Sequence, residues 1–345
     1  MGLDSHNKRL QTLIEDSDAL IDQSESTHDL LQVIGQVRDF GAPLAFNNTT
    51  PKVLITLGVL FLLAAILFIP LVLVGIILIV IGWRKISKRN GLLDVLSAKI
   101  LANCALFTND LKAVTGLAPI TLANFLREFR DFNRGTYQRN IVELVQGVFP
   151  GDTHAMPFIY SHFHFVDERT ETYSVTDGKG GSTTKTRKVY DHYHRYSLVV
   201  DFTWVRDVTV RGNGGGSIDR KYYWDSTSVD FNRAFKLTGD SEMACAKFSK
   251  PATILHLLHM QNELKSPNFE FSANGRLCLS FDNADLMSCE ADGSLKEPAV
   301  FYDSIAQGVA LPRLFSALAL VHKLAELHDD NFNLPKNNRR TQESQ

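Results

Sequence analysis

Four histidines carry the spacing closest to a chemical site. His162 and His164 stand two apart in FIYSHFHFV, and His192 and His194 stand two apart in VYDHYHRYS. If both segments are strands, each pair lies on one face, because side chains alternate along a strand. A hairpin turning near residue 179 sets the two faces side by side. Converging neutral imidazoles suit zinc, nickel or copper, with Asp167 or Asp191 near enough to assist. An exposed face on which histidines and tyrosines stack across strands has the same pattern and needs no metal. A metal ion at these four residues is the only cofactor the chain points to.

The other candidates are weaker. His256 and His259 stand three apart on a predicted helix, but Leu257 and Leu258 separate them. The general-base glutamate of H-E-x-x-H is therefore missing. DGKGGSTTKT resembles a phosphate loop only in composition: it lacks the G-x-x-x-x-G-K-[ST] spacing and sits in a hairpin. GNGGGS at 212–217 has no helix after it, and no G-x-S-x-G elbow occurs. Cys104, Cys245, Cys278 and Cys289 are far apart without a C-x-x-C pair, so reduced thiols are expected. No residue is assigned a catalytic role.

The elements that position the histidines emerge from periodicity. From Phe158 the apolar pattern alternates. Tyr190, His192, His194, Tyr196, Leu198 and Val200 share a strand face, with Thr176–Lys185 as the hairpin tip. Strand signal continues over 198–210, a Gly-rich turn fills 212–216, and further strands are expected at 221–225, 242–248, 269–272 and 276–281. Pro251 opens a helix to Leu264, and Leu311–Leu327 is a final amphipathic helix. Upstream, residues 90–148 read as helix on three stripes: Leu93, Leu96, Ile100 and Cys104; Leu122, Phe125 and Phe129; and Ile141, Leu144, Val145 and Val148. The first forty residues also look helical. They form either a partner-docking arm or a helix packed on its own domain.

Between Val53 and Trp83 lie 31 residues without a charge, VLITLGVLFLLAAILFIPLVLVGIILIVIGW. The block excludes a freely soluble enzyme and a many-helix transporter. A helix that long spans roughly 46 Å against a hydrocarbon core of about 30 Å. That is too long for one straight crossing and too short for two. Pro70 near the middle and Gly75 after it leave two readings: a hairpin of residues 53–69 and 71–83, or one helix kinked at Pro70. The bases Arg84, Lys85, Lys88 and Arg89 place the chain from residue 84 onward in the cytoplasm. The hairpin is favoured, because a single span exports a polar arm without a signal peptide. Residues 1–52 carry eight acidic and four basic side chains, and residues 84–345 carry 30 and 32. Neither part has the basic excess of a nucleic-acid binder.

From about residue 136 to 327 the chain resembles the bacterial membrane proteins grouped as the domain-of-unknown-function family numbered 3137. The resemblance lies in TYQRNIVELVQGVFPG, in YSLVVDFTWVRDVTV, in DFNRAFKLTGDSEMACAKFSKPATILHLL and in FEFSANGRLCLSF. It implies a membrane anchor near the N-terminus and a membrane-associated assembly; members of that family can lie near genes for LemA-type membrane proteins, which suggests that class as a partner. It implies no catalytic residue. The acidic arm departs from the family pattern.

The fold expected is α+β: an acidic helical arm (1–50), a transmembrane hairpin or kinked span (51–85), a helical region (86–150), a mostly antiparallel β domain with flanking helices (151–330) and a disordered tail (331–345). The function expected is a scaffold or interaction protein at the bacterial inner membrane, main domain cytoplasmic. Its partners are the bilayer, another protein and further copies of itself, with no nucleic acid. The rivals are a membrane-anchored enzyme or ligand sensor at the four histidines, and an oligomeric pore. The uncharged block argues against the pore.

Overall fold

The computed structural model describes residues 3–64, 69–153, 155–176, 182–214, 216 and 218–329. The fold is α+β and divides into two compact units.

The first unit comprises Met1–Asn109 and Cys289–Ala310. It holds helices α1 (Leu3–Gln23), α2 (Thr27–Arg38), α3 (Thr49–Ala64), α4 (Leu71–Thr108) and α9 (Pro298–Ala306). A capping box separates α1 from α2. Ser26 Oγ accepts the Asp29 amide, and the Asp29 carboxylate accepts the Ser26 amide. Leu10, Ile14 and Ile21 of α1 and Leu30, Val33, Ile34 and Val37 of α2 are buried. So are Leu93, Leu96, Ile100 and Cys104 of α4 and Phe301 and Ile305 of α9. Lys99 on α4 bridges Asp18 and Asp22 of α1 at 2.6 and 2.8 Å. The acidic arm is thus packed on its own domain. Its apolar stripe is buried within this unit, as the second of the two readings of the arm expects.

The second unit comprises Asp110–Ser288 and Leu311 onward. Nine antiparallel strands form its sheet: β1 (Lys112–Ala113), β2 (Gln138–Phe149), β3 (Met156–Thr176), β4 (Ser182–Asp201), β5 (Val208–Gly212), β6 (Tyr222–Trp224), β7 (Phe235–Gly239), β8 (Asn268–Phe271) and β9 (Arg276–Phe281), in the order β1-β2-β3-β4-β9-β8-β5-β7-β6. Helices α5 (Ala118–Glu128), α6 (Val229–Ala234), α7 (Glu242–Phe248), α8 (Pro251–Glu263) and α10 (Pro312–His328) flank it. On one sheet face Leu122 and Phe125 of α5, with Phe129 and Phe132, pack against Ile141, Phe163, Phe165 and Val199. On the other, Phe149 meets Phe315 and His322 of α10.

Three expectations are corrected. The helical region ends at Thr108 and resumes only as α5, and Ile141, Leu144, Val145 and Val148 lie on strand β2. A bulge between Ile141 and Glu143 inserts a residue into the ladder. The bulge turns a period of two into a spacing that imitates a helix. Residues 242–248 are helix α7 rather than a strand, started by Ser241, whose hydroxyl accepts the Ala244 amide. The stretch 198–210 is two strands, broken where Asp207 adopts φ 58°. Of the hairpin tip, residues 177–181 lie outside the described residues, as does the tail expected from 331.

Candidate functional site

The described residues of the uncharged block include two helical stretches that lie side by side, one in α3 and one in α4. A Cβ on Gly58 would meet the Gly75 carbonyl oxygen at 2.7 Å, and one on Gly82 would meet the Pro51 carbonyl oxygen at 2.7 Å. Residues near the start of α3 therefore lie beside residues further along α4, and the pair is antiparallel. The kinked single helix is overturned. Pro70 caps the start of α4, where its missing amide costs nothing. Among the described residues no helix is long and apolar enough to cross a membrane. The outward faces are apolar: Leu63 is 64% exposed, Ile69 80% and Trp83 66%, with Val53, Leu60, Leu73 and Ile77 also open. At the polar end, Arg89 reaches the Asn47 carbonyl at 3.4 Å and lies over the Phe46 ring, and Asn48 bonds Asn90 at 3.2 Å. Asn7 of α1 exchanges two hydrogen bonds with Asn47. The chain entering α3 is thus tied to α1 and to α4 beyond Arg84, Lys85 and Lys88.

The four histidines do come together. The register sets His162 opposite Tyr196, His164 opposite His194 and Val166 opposite His192, so the imidazoles fill one face of β3 and β4. His162 Nε2 lies 2.8 Å from His194 Nδ1, and His164 Nε2 lies 3.0 Å from His192 Nδ1. His164 Nδ1 is 2.8 Å from Asn140 Oδ1 on β2. Burial and the neighbouring imidazoles hold His162 and His164 below the usual histidine range. Asp167 and Asp191 do not assist: both point to the opposite face, where Asp167 accepts the Thr136 amide and Asp191 pairs with Arg169. Among the described residues no group of three or more His, Cys, Asp or Glu converges as metal ligands. His256 instead bonds the Leu320 carbonyl at 2.7 Å and joins α8 to α10. All four cysteines are free.

A buried ionic network is not among the sites that the sequence pattern suggests. Asp131, in the short 3-10 turn Arg130–Asn133, is 3% exposed and accepts from Arg134 at 2.9 Å, Asn268 at 3.0 Å, Arg195 at 3.2 Å and the Ser280 hydroxyl. Arg195, also 3% exposed, reaches Asp282 at 2.7 Å and the Ser266 carbonyl at 2.9 Å. Burial alone would raise the Asp131 carboxyl, but Arg195, Arg134 and Ser280 hold it below the ordinary range. Glu270 on β8 accepts the amides of Arg130 at 2.9 Å and Asp131 at 3.2 Å, and burial pushes it up to about 7. It borders a cleft of about 290 Å³ with Arg130, Arg220, Glu128 and Ser272. A buried carboxyl titrating near neutrality beside a cleft marks a candidate site. One signal of the network is present in the sequence: alternation puts Arg195 on the face opposite the histidines, among core residues.

No family model, curated protein or solved structure matches the chain.

Proposed function

We propose that this chain is a membrane-tethered scaffold, anchored from the cytoplasmic side of a bacterial inner membrane by the α3–α4 hairpin. The outward apolar surface of that hairpin carries the reading. Leaving some ten large aliphatic side chains half exposed in water forgoes on the order of 10 kcal/mol, which a lipid environment restores. The depth is limited. Sixteen residues of α3 reach about 24 Å and the thirteen uncharged residues opening α4 about 20 Å, against roughly 30 Å of hydrocarbon. The hairpin enters, turns and returns. Lys52, Arg84, Lys85, Lys88 and Arg89 gather at its polar end, the end expected to stay cytoplasmic. The packing of α1 and α2 on α4 supports the same orientation, since both flanks of the hairpin then lie on one side.

The interaction role is supported by the β3–β4 ribbon. Arg169–Thr176 and Ser182–Val189 pair only with each other among the described residues, extending about 26 Å as an open two-stranded arm. The family resemblance adds a LemA-type membrane protein as the class of partner. Reporters that fluoresce only in the cytoplasm, fused at residue 2 and at the C-terminus, test the topology. Both are expected to fluoresce, and a periplasmic N-terminus overturns the hairpin reading.

A further inference from the structure

We propose that the paired histidines of β3 and β4 bind divalent transition-metal ions, each ion held by one imidazole from either strand. The observation is the way the rings meet. His162 Nε2 faces His194 Nδ1 at 2.8 Å, and His164 Nε2 faces His192 Nδ1 at 3.0 Å, nitrogen to nitrogen on two parallel diagonals. Two imidazole nitrogens on one tetrahedral zinc, each about 2.05 Å from it, stand about 3.3 Å apart. The His162–His194 pair therefore needs to open by about 0.5 Å and the His164–His192 pair by about 0.3 Å to admit an ion.

The Asn140 contact supplies the orienting group such a ligand needs. Its Oδ1 accepts from His164 Nδ1, which leaves the His164 Nε2 lone pair directed at His192. Metal-ligating histidines characteristically donate their other ring N–H in this way. Ion entry replaces the shared hydrogen. The proton on His192 Nδ1 moves to its own Nε2, His192 being exposed, so both imidazoles stay neutral and no net proton is released. His164 lies between the diagonals, its ring centroid 4.9 Å from that of His194 and 5.2 Å from that of His192.

The donor set selects the ion. Two imidazoles without a carboxylate disfavour magnesium and calcium and favour copper, nickel and zinc, with copper tightest. Since no third protein donor joins the group among the described residues, water completes the coordination and the site stays open. The anchor and its topology are not involved, so this proposal stands or falls apart from them.

The test is calorimetric titration of the full chain in detergent micelles with Cu²⁺ and Zn²⁺, alongside the nitrogen hyperfine pattern of bound Cu²⁺. The expected result is saturable binding, copper tighter than zinc, with two nitrogens on each copper. His164→Gln should weaken binding at its diagonal at least about tenfold, and Asn140→Ala about 10–100-fold through loss of the orienting bond. His192→Gln, at an exposed position, serves where His164→Gln fails to fold. Unchanged isotherms in Asn140→Ala and His192→Gln would mean an adventitious ion only, and the proposal falls. Failure of the parent chain to bind either ion also overturns it.

Discussion

Glu270 should impose a pH dependence on stability that one substitution removes. Its carboxyl is 1% exposed and caps the 3-10 turn by accepting the Arg130 and Asp131 amides, while burial moves it from 4.5 to about 7. A raised carboxyl holds its proton more tightly in the folded chain. Its contribution is therefore complete below the unfolded value and disappears as pH climbs through the folded one. At about 1.36 kcal/mol per pH unit the whole effect is about 3 kcal/mol, of which about 2.5 falls between pH 5 and pH 8. Other groups act in the opposite sense. His162 and His164 are lowered, so their contribution is lost as pH falls below about 6.5, and Asp131 loses its own only below 3.8. Those terms are shared with Glu270→Gln and cancel in the difference between the two proteins. The measurement is urea unfolding of parent and variant in micelles, followed by circular dichroism from pH 5 to pH 8. Parent stability minus variant stability should fall by about 2.5 kcal/mol across that range. A difference independent of pH would refute the reasoning, because it would mean that Glu270 titrates alike in folded and unfolded chains.

Two further substitutions probe the remaining structure. Gly75→Leu places a Cβ 2.8 Å from the Gly58 carbonyl oxygen, with a longer side chain behind it, and should cost about 1–3 kcal/mol as the hairpin splays, read by detergent-induced unfolding; Gly75→Ala shares the Cβ clash and should also destabilise, by less. A parent-like Gly75→Leu would count against close contact of the arms. Arg195→Met removes the guanidinium between Asp131 and Asp282 and should cost about 3–5 kcal/mol, since it leaves Asp131 buried with a weakened countercharge. Adding Asp131→Asn should recover part of that loss. A single variant within about 1 kcal/mol of the parent would show the pair to be dispensable.

The legible parts share a physical trait: their pattern is continuous along the chain. The histidine ladder can be read because β3 and β4 alternate without interruption through residues 158–166 and 192–200, so facing residues are set by a single turn. Helices α8 and α10 can be read from proline at the first turn and an unbroken stripe. β2 passes for a helix because its bulge adds one residue, and one residue changes which face every later side chain occupies. The ionic network is out of reach for another reason. Asp131, Arg195, Asn268 and, at the end of β9, Ser280 and Asp282 come from separate segments; alternation flags Arg195 alone, and the others look like ordinary surface residues until the sheet order brings β4, β9 and β8 together.

The hairpin falls between these cases, and its deciding signal lies in small and flat residues. Pro51 and Gly58 on α3 are seven apart, as are Gly75 and Gly82 on α4, which is about two helical turns. Each arm therefore carries its small or flat residues on one face. A single kinked span has no use for two such faces. An antiparallel pair does, because backbones approach closely only where side chains are missing. Pro70 marks the middle of the block, but any break there serves either topology. The glycine faces distinguish the two, and they leave Leu60, Leu63, Leu73 and Ile77 pointing away from the partner helix. The exposed apolar surface is thus a consequence of how the arms recognise each other.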